Sequence, residues 1–222
     1  ADFDGDRKSD PAVYAEASGA WQVKLSGSEY ATVDVSLGGS GMSAVAGEFD
    51  GDSRADAAVY DTSSGNWTVL LSASSYITAT LWGFGGTGYA PAPADFDGDL
   101  RSDPAVYGMT NGIWLLKLSA MGYAQAQATL GGTGYVPVPA DFDGDGLADP
   151  AVYKESDGSW QVMLSASGYA TVDVSLGGSG YSALPSDFDG DGKADPAVYN
   201  ENTGLWRIML SGSGYALAET TF

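Results

Sequence analysis

Three observations predict an all-β fold. Trp21, Val23 and Leu25 alternate with Gln22, Lys24 and Ser26, the period of a half-buried strand. Glycine fills 32 of 222 positions and no stretch shows helical periodicity, which disfavours long helices. The chain also repeats, with Phe3, Phe49, Phe96, Phe142 and Phe188 spaced by 46, 47, 46 and 46 residues. Four strands in a repeat of this length is the pattern of a propeller blade, for which periods are about 40–50 residues. The expected architecture is a five-bladed β-propeller of four-stranded antiparallel blades, one domain over residues 1–222.

The repeat units are 1–46, 47–93, 94–139, 140–185 and 186–222. Each opens on an acidic loop. In the first unit, Pro11-Ala-Val-Tyr14 then reads as a short apolar strand, and Ala15 to Gly19 as a turn. The Trp21 strand comes next, followed by a Leu-Ser turn. A third strand over Tyr30 to Leu37 places Val33, Val35 and Leu37 on one face. Gly38-Gly39-Ser40-Gly41 ends it, and a fourth strand leads into the next loop. Before the fourth loop that strand is Tyr135-Val-Pro-Val-Pro-Ala140. Prolines at alternate positions remove donors from one side only, so it belongs at an edge, innermost in the blade. Trp21, Trp67, Trp114, Trp160 and Trp206 are expected to stack between blades, as are Tyr14, Tyr60, Tyr107, Tyr153 and Tyr199. The extra residue of the second unit falls near Trp82-Gly83-Phe84 and predicts a bulge or longer turn. Unit five reaches Phe222, which aligns with Leu37. By this count the first blade has three strands and lacks its inner one.

The stretch Asp187-Phe-Asp-Gly-Asp-Gly-Lys-Ala-Asp195 carries the chemistry. It sets carboxylates at positions 1, 3, 5 and 9 of a short glycine-bearing loop, and the loop recurs from Asp2, Glu48, Asp95 and Asp141. Calcium takes six to eight oxygens at about 2.3–2.6 Å. Carboxylates two residues apart in a tight turn can converge, and the carbonyl of position 7 adds another oxygen. Four carboxylates within nine residues repel one another unless a cation compensates. The competing role is local, with the aspartates capping turns.

Charge supports the clustered reading. The chain carries 29 acidic and 9 basic residues, net −20. The loops hold four acids each, which accounts for the whole excess; the remaining acids match the lysines and arginines. Such a chain does not bind nucleic acid, because phosphate recognition needs a basic face. There is no Cys and no His, so disulfides, thiolate and imidazole metal sites, and the common catalytic triads are excluded. No apolar run of about 18 residues exists, so no helix inserts in a membrane. Asp34 and Asp173 read as surface residues of polar strand faces. A filled calcium cage lacks the open coordination position that metal catalysis needs. The expectation is a protein that is not an enzyme.

The loop Asp141-Phe-Asp-Gly-Asp-Gly-Leu-Ala-Asp149, followed by Pro-Ala-Val-Tyr, resembles the FG-GAP/VCBS repeats of integrin α-subunit propellers, fungal lectins and secreted bacterial proteins. The resemblance spans essentially the whole chain. It implies calcium, up to five ions, one per repeat. The implied ligands are the side chains at positions 1, 3, 5 and 9 and the carbonyl at position 7. In the first repeat these are Asp2, Asp4, Asp6, Lys8 and Asp10; in the second Glu48, Asp50, Asp52, Arg54 and Asp56. The third offers Asp95, Asp97, Asp99, Arg101 and Asp103, the fourth Asp141, Asp143, Asp145, Leu147 and Asp149, and the last Asp187, Asp189, Asp191, Lys193 and Asp195. Position 6 is Gly146 and Gly192 in the last two loops but Arg7, Ser53 and Leu100 in the others. Glycine eases the sharp turn, so loops four and five are expected to bind tightest and loop two, with Glu48, weakest.

Two functions follow as expectations. One is an extracellular or cell-surface binding module for carbohydrate, using Tyr30, Tyr76, Tyr123, Tyr169 and Tyr215 after the Leu-Ser turns, or Tyr89, Tyr135 and Tyr181 after the Gly-Gly turns. Their competing role is strand-end packing. The other is a calcium-stiffened adhesion or assembly scaffold that meets a surface protein, or itself, through the incomplete blade.

Overall fold

A computed structural model describes residues 1–81 and 83–221. The bulge expected at Trp82 and the end of the last strand at Phe222 lie outside the described residues. The fold is all-β, a propeller of five antiparallel sheets. Blade 1 has three strands, β1 (Ala12–Ala15), β2 (Ala20–Leu25) and β3 (Ala31–Ser36). Blade 2 has β4 (Met42–Gly47), β5 (Asp56–Asp61), β6 (Trp67–Leu71) and β7 (Ile77–Leu81). Blade 3 has β8 (Tyr89–Pro91), β9 (Ala105–Gly108), β10 (Ile113–Leu118) and β11 (Ala124–Thr129). Blade 4 comprises β12 (Val136–Pro137), β13 (Ala151–Lys154), β14 (Ser159–Leu164) and β15 (Ala170–Ser175). Blade 5 comprises β16 (Ser182–Ala183), β17 (Ala197–Asn200), β18 (Leu205–Leu210) and β19 (Ala216–Thr221).

Blades straddle the sequence repeats. Strand β4 comes from the first repeat but pairs with β5 of the second, Ser43 opposite Tyr60. Each later blade likewise takes its first strand from the repeat before. That strand is an edge strand in all four cases; in blades 3 and 4 it carries a proline, Pro91 and Pro137, as an edge position allows, and Pro137 pairs with Val152. The Leu-Ser turns of blades 1, 2, 4 and 5 contain short 3-10 segments, as at Ser165–Ser167, which period-two patterning could not show.

The chain packs as two compact units, one of residues 1–95, 99–106 and 117–124, the other of 96–98, 107–116 and 125–222. In the first, Trp21 of blade 1 is buried against Ala57 and Val59 of blade 2, flanked by Tyr14, Val35 and Met42. In the second, Trp160 and Val162 of blade 4 share a buried cluster with Val198 of blade 5. The tryptophans of these blades therefore sit between blades, as expected. The tyrosines join these clusters, Tyr14 in the first and Tyr153 in the second, and have a second role. Tyr153 faces Trp160 across its own sheet, ring centroids 5.0 Å apart. Its hydroxyl accepts the Gly178 N–H at 3.0 Å. Tyr60 accepts Gly86 N–H at 2.6 Å and Tyr107 accepts Gly132 N–H at 2.7 Å. Each tyrosine pins the glycine turn that leads to the next blade. A side chain at Gly177 would collide with this pin, its Cβ 2.8 Å from the Tyr153 hydroxyl.

These pins predict alkaline lability. Burial pushes the phenol pKa values of Tyr60, Tyr107 and Tyr153 upward, against the opposing hydrogen bonds from the glycine N–H groups. A value higher in the folded than the unfolded chain means that this stability is complete below about pH 10. It is lost as pH rises toward the folded values. A spectrophotometric titration should show a late tyrosinate class that ionises together with loss of structure. A single class ionising near pH 10 in intact protein would contradict this.

Candidate metal centres

The fourth loop shows how the acids fold the chain. Asp141 accepts the N–H groups of Gly144 and Gly146 at 2.6 and 2.9 Å. Asp143 Oδ2 accepts Ala166 N–H at 3.0 Å. Asp145 accepts Leu147 N–H and the Ser165 hydroxyl, both at 2.9 Å. Asp149 is fully buried and accepts Phe142 N–H at 2.9 Å and Ser165 N–H at 2.7 Å. It staples the loop to the Leu-Ser turn of its own blade. Turn capping by aspartate is thus part of the structure.

The caps leave oxygens over. In each loop three carboxylates bring ligand atoms within 4.8 Å of one another: Asp2, Asp4 and Asp6; Glu48, Asp50 and Asp56; Asp95, Asp97 and Asp99; Asp141, Asp143 and Asp149; Asp187, Asp189 and Asp195. Asp52, Asp145 and Asp191, expected as ligands, fall outside these groups, as do Asp10 and Asp103. Asp50 Oδ1 and Asp143 Oδ1 are buried and accept no hydrogen bond. A buried carboxylate oxygen without a donor is costly, and a cation at the cluster would answer it. The donors are all oxygen, which suits a hard ion. The residues present therefore fit a metal.

Electrostatics separates the positions. Burial pushes the carboxyls of Asp56 and Asp149 above the usual range, and the hydrogen bonds from Ser72 and Phe49, or Ser165 and Phe142, do not cancel it. At Asp52 burial acts the same way but is outweighed by the Arg54 side chain and Ser72, so the carboxyl lies below the usual range. Position 6 is left-handed in every loop: φ is 68° at Arg7, Ser53 and Leu100, and 89° and 87° at Gly146 and Gly192. Holding a non-glycine residue there costs about 1–2 kcal/mol, the strain anticipated from sequence.

The serines were the unread part of the site. Ser26, Ser72, Ser119, Ser165 and Ser211 each bond the position-5 and position-9 carboxylates of their own blade. Their signal was a Leu-Ser pair 20 residues beyond position 5 in every repeat.

A second feature repeats at the blade junctions. A cavity of about 380 Å³ between blades 4 and 5 is lined by Phe142, Val162, Val174, Met209 and Tyr215, with Asp173 also on its wall. Its counterpart between blades 1 and 2, about 50 Å³, is lined by the equivalent Phe3, Val23, Val35 and Tyr76. The tyrosines after the Leu-Ser turns are strained. Tyr30, Tyr76, Tyr123, Tyr169 and Tyr215 have φ of 60–63°, and Tyr30, Tyr76, Tyr169 and Tyr215 are 45–58% exposed. By contrast Tyr89, Tyr135 and Tyr181 are only partly exposed; Tyr181 packs on the core and Tyr135 lies beneath Lys154. Asp34 and Asp173 are exposed on strand faces, bonded to Gln22 and Gln161.

Fold and site together define a β-propeller whose repeated acidic loops can hold metal ions. No family model and no curated protein matches the chain. Among solved structures it is similar to BBS1N, crystallised in complex with ARL6DN, with a TM-score of 0.54 and 14% identity over 95% of this chain and 64% of that one. It is also similar to an auxiliary nutrient binding protein from Bacteroides thetaiotaomicron, with a TM-score of 0.57 and 12% identity over 99% of this chain and 55% of that one. The chain thus spans under two thirds of either protein, and the likeness is one of fold. No helix is long and apolar enough to cross a membrane among the described residues.

Proposed function

We propose that the chain is a calcium-loaded, extracellular binding module of the FG-GAP/VCBS kind, one non-catalytic domain whose ligand is carbohydrate. The observation that carries this is the repeated blade-junction pocket with a strained, exposed tyrosine on its wall. Strain of this sort persists at ligand-holding sites when the surroundings enforce it. A tyrosine face can stack on a sugar ring, and a pocket of about 380 Å³ lies within the usual ligand range of about 300–1,000 Å³. Repetition allows several weak contacts to act together. Calcium, held by the acids and the position-7 carbonyls, supplies charge compensation and stiffens each loop. Weak sites of about 10⁻⁴–10⁻³ M still fill outside cells. One structural neighbour is described as nutrient binding and the other was crystallised with a protein partner.

The test is a glycan array in millimolar calcium, repeated in chelator, with Tyr215→Ala beside the wild type. Selective binding that weakens about tenfold in the variant, from the loss of one stacking contact of about 1 kcal/mol or more, supports the reading. Absence of binding by folded, calcium-loaded protein would sink it.

A scaffold role is favoured by one observation. Val13 of the edge strand β1 is 64% exposed, whereas its equivalents Val59, Val106, Val152 and Val198 are at most 1% exposed. That exposure belongs to the sheet face that Val59 and Val198 bury against the preceding blade; β1 is also an edge strand beside β2, and such an edge can accept a strand from a surface protein or a second copy.

A further inference from the structure

We infer that Arg54 and Arg101 are built-in counter-ions that take the place of part of the metal's charge, so that loops two and three hold calcium weakly and loops four and five hold it tightly. This rests on the metal reading above and adds a second chemistry to it. An ionised carboxylate offers about four lone-pair sites. Four donors meet Asp52: Arg54 N–H on Oδ1 at 2.9 Å, and on Oδ2 the Ser72 hydroxyl at 2.9 Å with the Nε and Nη2 of Arg54. Asp99 is met the same way by Arg101 N–H on Oδ1 and by the Ser119 hydroxyl and the Nε and Nη2 of Arg101 on Oδ2. In both loops the two guanidinium nitrogens converge on the same oxygen, Oδ2, and so set a positive charge directly on the position-5 carboxylate.

Loops four and five set no cationic side chain on that carboxylate, among the described residues. Among the described residues Asp145 accepts only Leu147 N–H and the Ser165 hydroxyl. Asp191 accepts only Lys193 N–H and the Ser211 hydroxyl. Loop one is intermediate: Lys8 Nζ reaches Asp6 at 3.4 Å, from a side chain 72% exposed.

Neighbouring loops help to aim the guanidinium. A Cβ built on Gly5 would meet Arg54 Cγ at 3.1 Å, and one on Gly51 would meet Arg101 Cδ at 3.5 Å. The arginine stem therefore lies across the position-4 glycine of the preceding loop while its head folds back onto its own loop. Leu147 crosses Gly98 and Lys193 crosses Gly144 in the same way, but leucine brings no charge, and the Lys193 ammonium makes no ion pair with Asp191 within 4 Å. Ligand charge and loop rigidity set calcium affinity over several orders of magnitude, so the position-7 residue grades the five sites.

The test is calcium stoichiometry by equilibrium dialysis and native mass spectrometry, with calcium chloride as the probe. Wild type should show at most three ions in a tight class and two more weaker by about tenfold or more. Arg54→Leu with Arg101→Leu should move the two weak ions into the tight class and make the fold more dependent on calcium in a thermal melt. Leu147→Arg should remove one ion from the tight class. Melts with and without chelator check that each variant folds, and the leucine and arginine changes err in opposite directions. Five equivalent ions, unchanged in every variant, would overturn the inference and leave the metal reading standing. No calcium bound by folded wild type would remove both.

Discussion

Asp149→Ala is expected to cost about 2–6 kcal/mol of stability, because two backbone N–H groups lose their acceptor and each buried orphan costs about 1–3 kcal/mol. The residue is fully buried and both its oxygens are used, toward Phe142 and Ser165. The loss should appear in urea melts run in chelator, where any metal contribution is absent. Asp149→Asn keeps one acceptor oxygen and should recover roughly half the loss. Asp34→Ala removes an exposed carboxylate bonded only to Gln22 and should stay within about 0.5 kcal/mol of wild type. If Asp149→Ala behaves like Asp34→Ala in chelator, the staple role is wrong and position 9 serves the metal alone.

Trp160→Ala should cost about 3–5 kcal/mol, the usual range for emptying a fully buried aromatic site. Trp160 has no exposed surface, packs with Phe142, Tyr153 and Val198, and donates its indole N–H to Leu176 at 3.1 Å. Trp206 occupies the same place in blade 5, 5.0 Å from Tyr199, yet is only partly buried. Its alanine variant should therefore lose clearly less. Denaturation of the two variants side by side checks this, and equal losses would mean that cover from the neighbouring blade adds nothing to this interface.

Several features were readable before any coordinates. Strand alternation is a local property, so β2 and its equivalents could be placed from residues such as Trp21, Val23 and Leu25. The repeat spacing predicted the number of sheets, and the alignment of Phe222 with Leu37 predicted three strands in blade 1. Carboxylates two residues apart in a glycine loop must lie close together whatever surrounds them, so the five acidic groups were legible too. Alternate prolines marked the edge strand because a missing N–H is a covalent fact.

Tertiary structure decided how each polar atom is used. Nothing within the nine-residue loop says that Asp149 is buried beneath Ser165, or that Tyr153 pins Gly178, because those partners lie 16 and 25 residues away and meet only once the sheet has formed. The left-handed tyrosines also depend on a turn whose shape period-two patterning does not encode. The contrast between Arg54 and Leu147 looks like surface variation in one dimension. In three dimensions the arginine side chain lies across a glycine of the preceding loop and sets its charge on Asp52 Oδ2. Composition and spacing thus set the fold and the supply of ligand oxygens. Which carboxylates already carry a positive charge depends on side-chain contacts that form only in the folded chain.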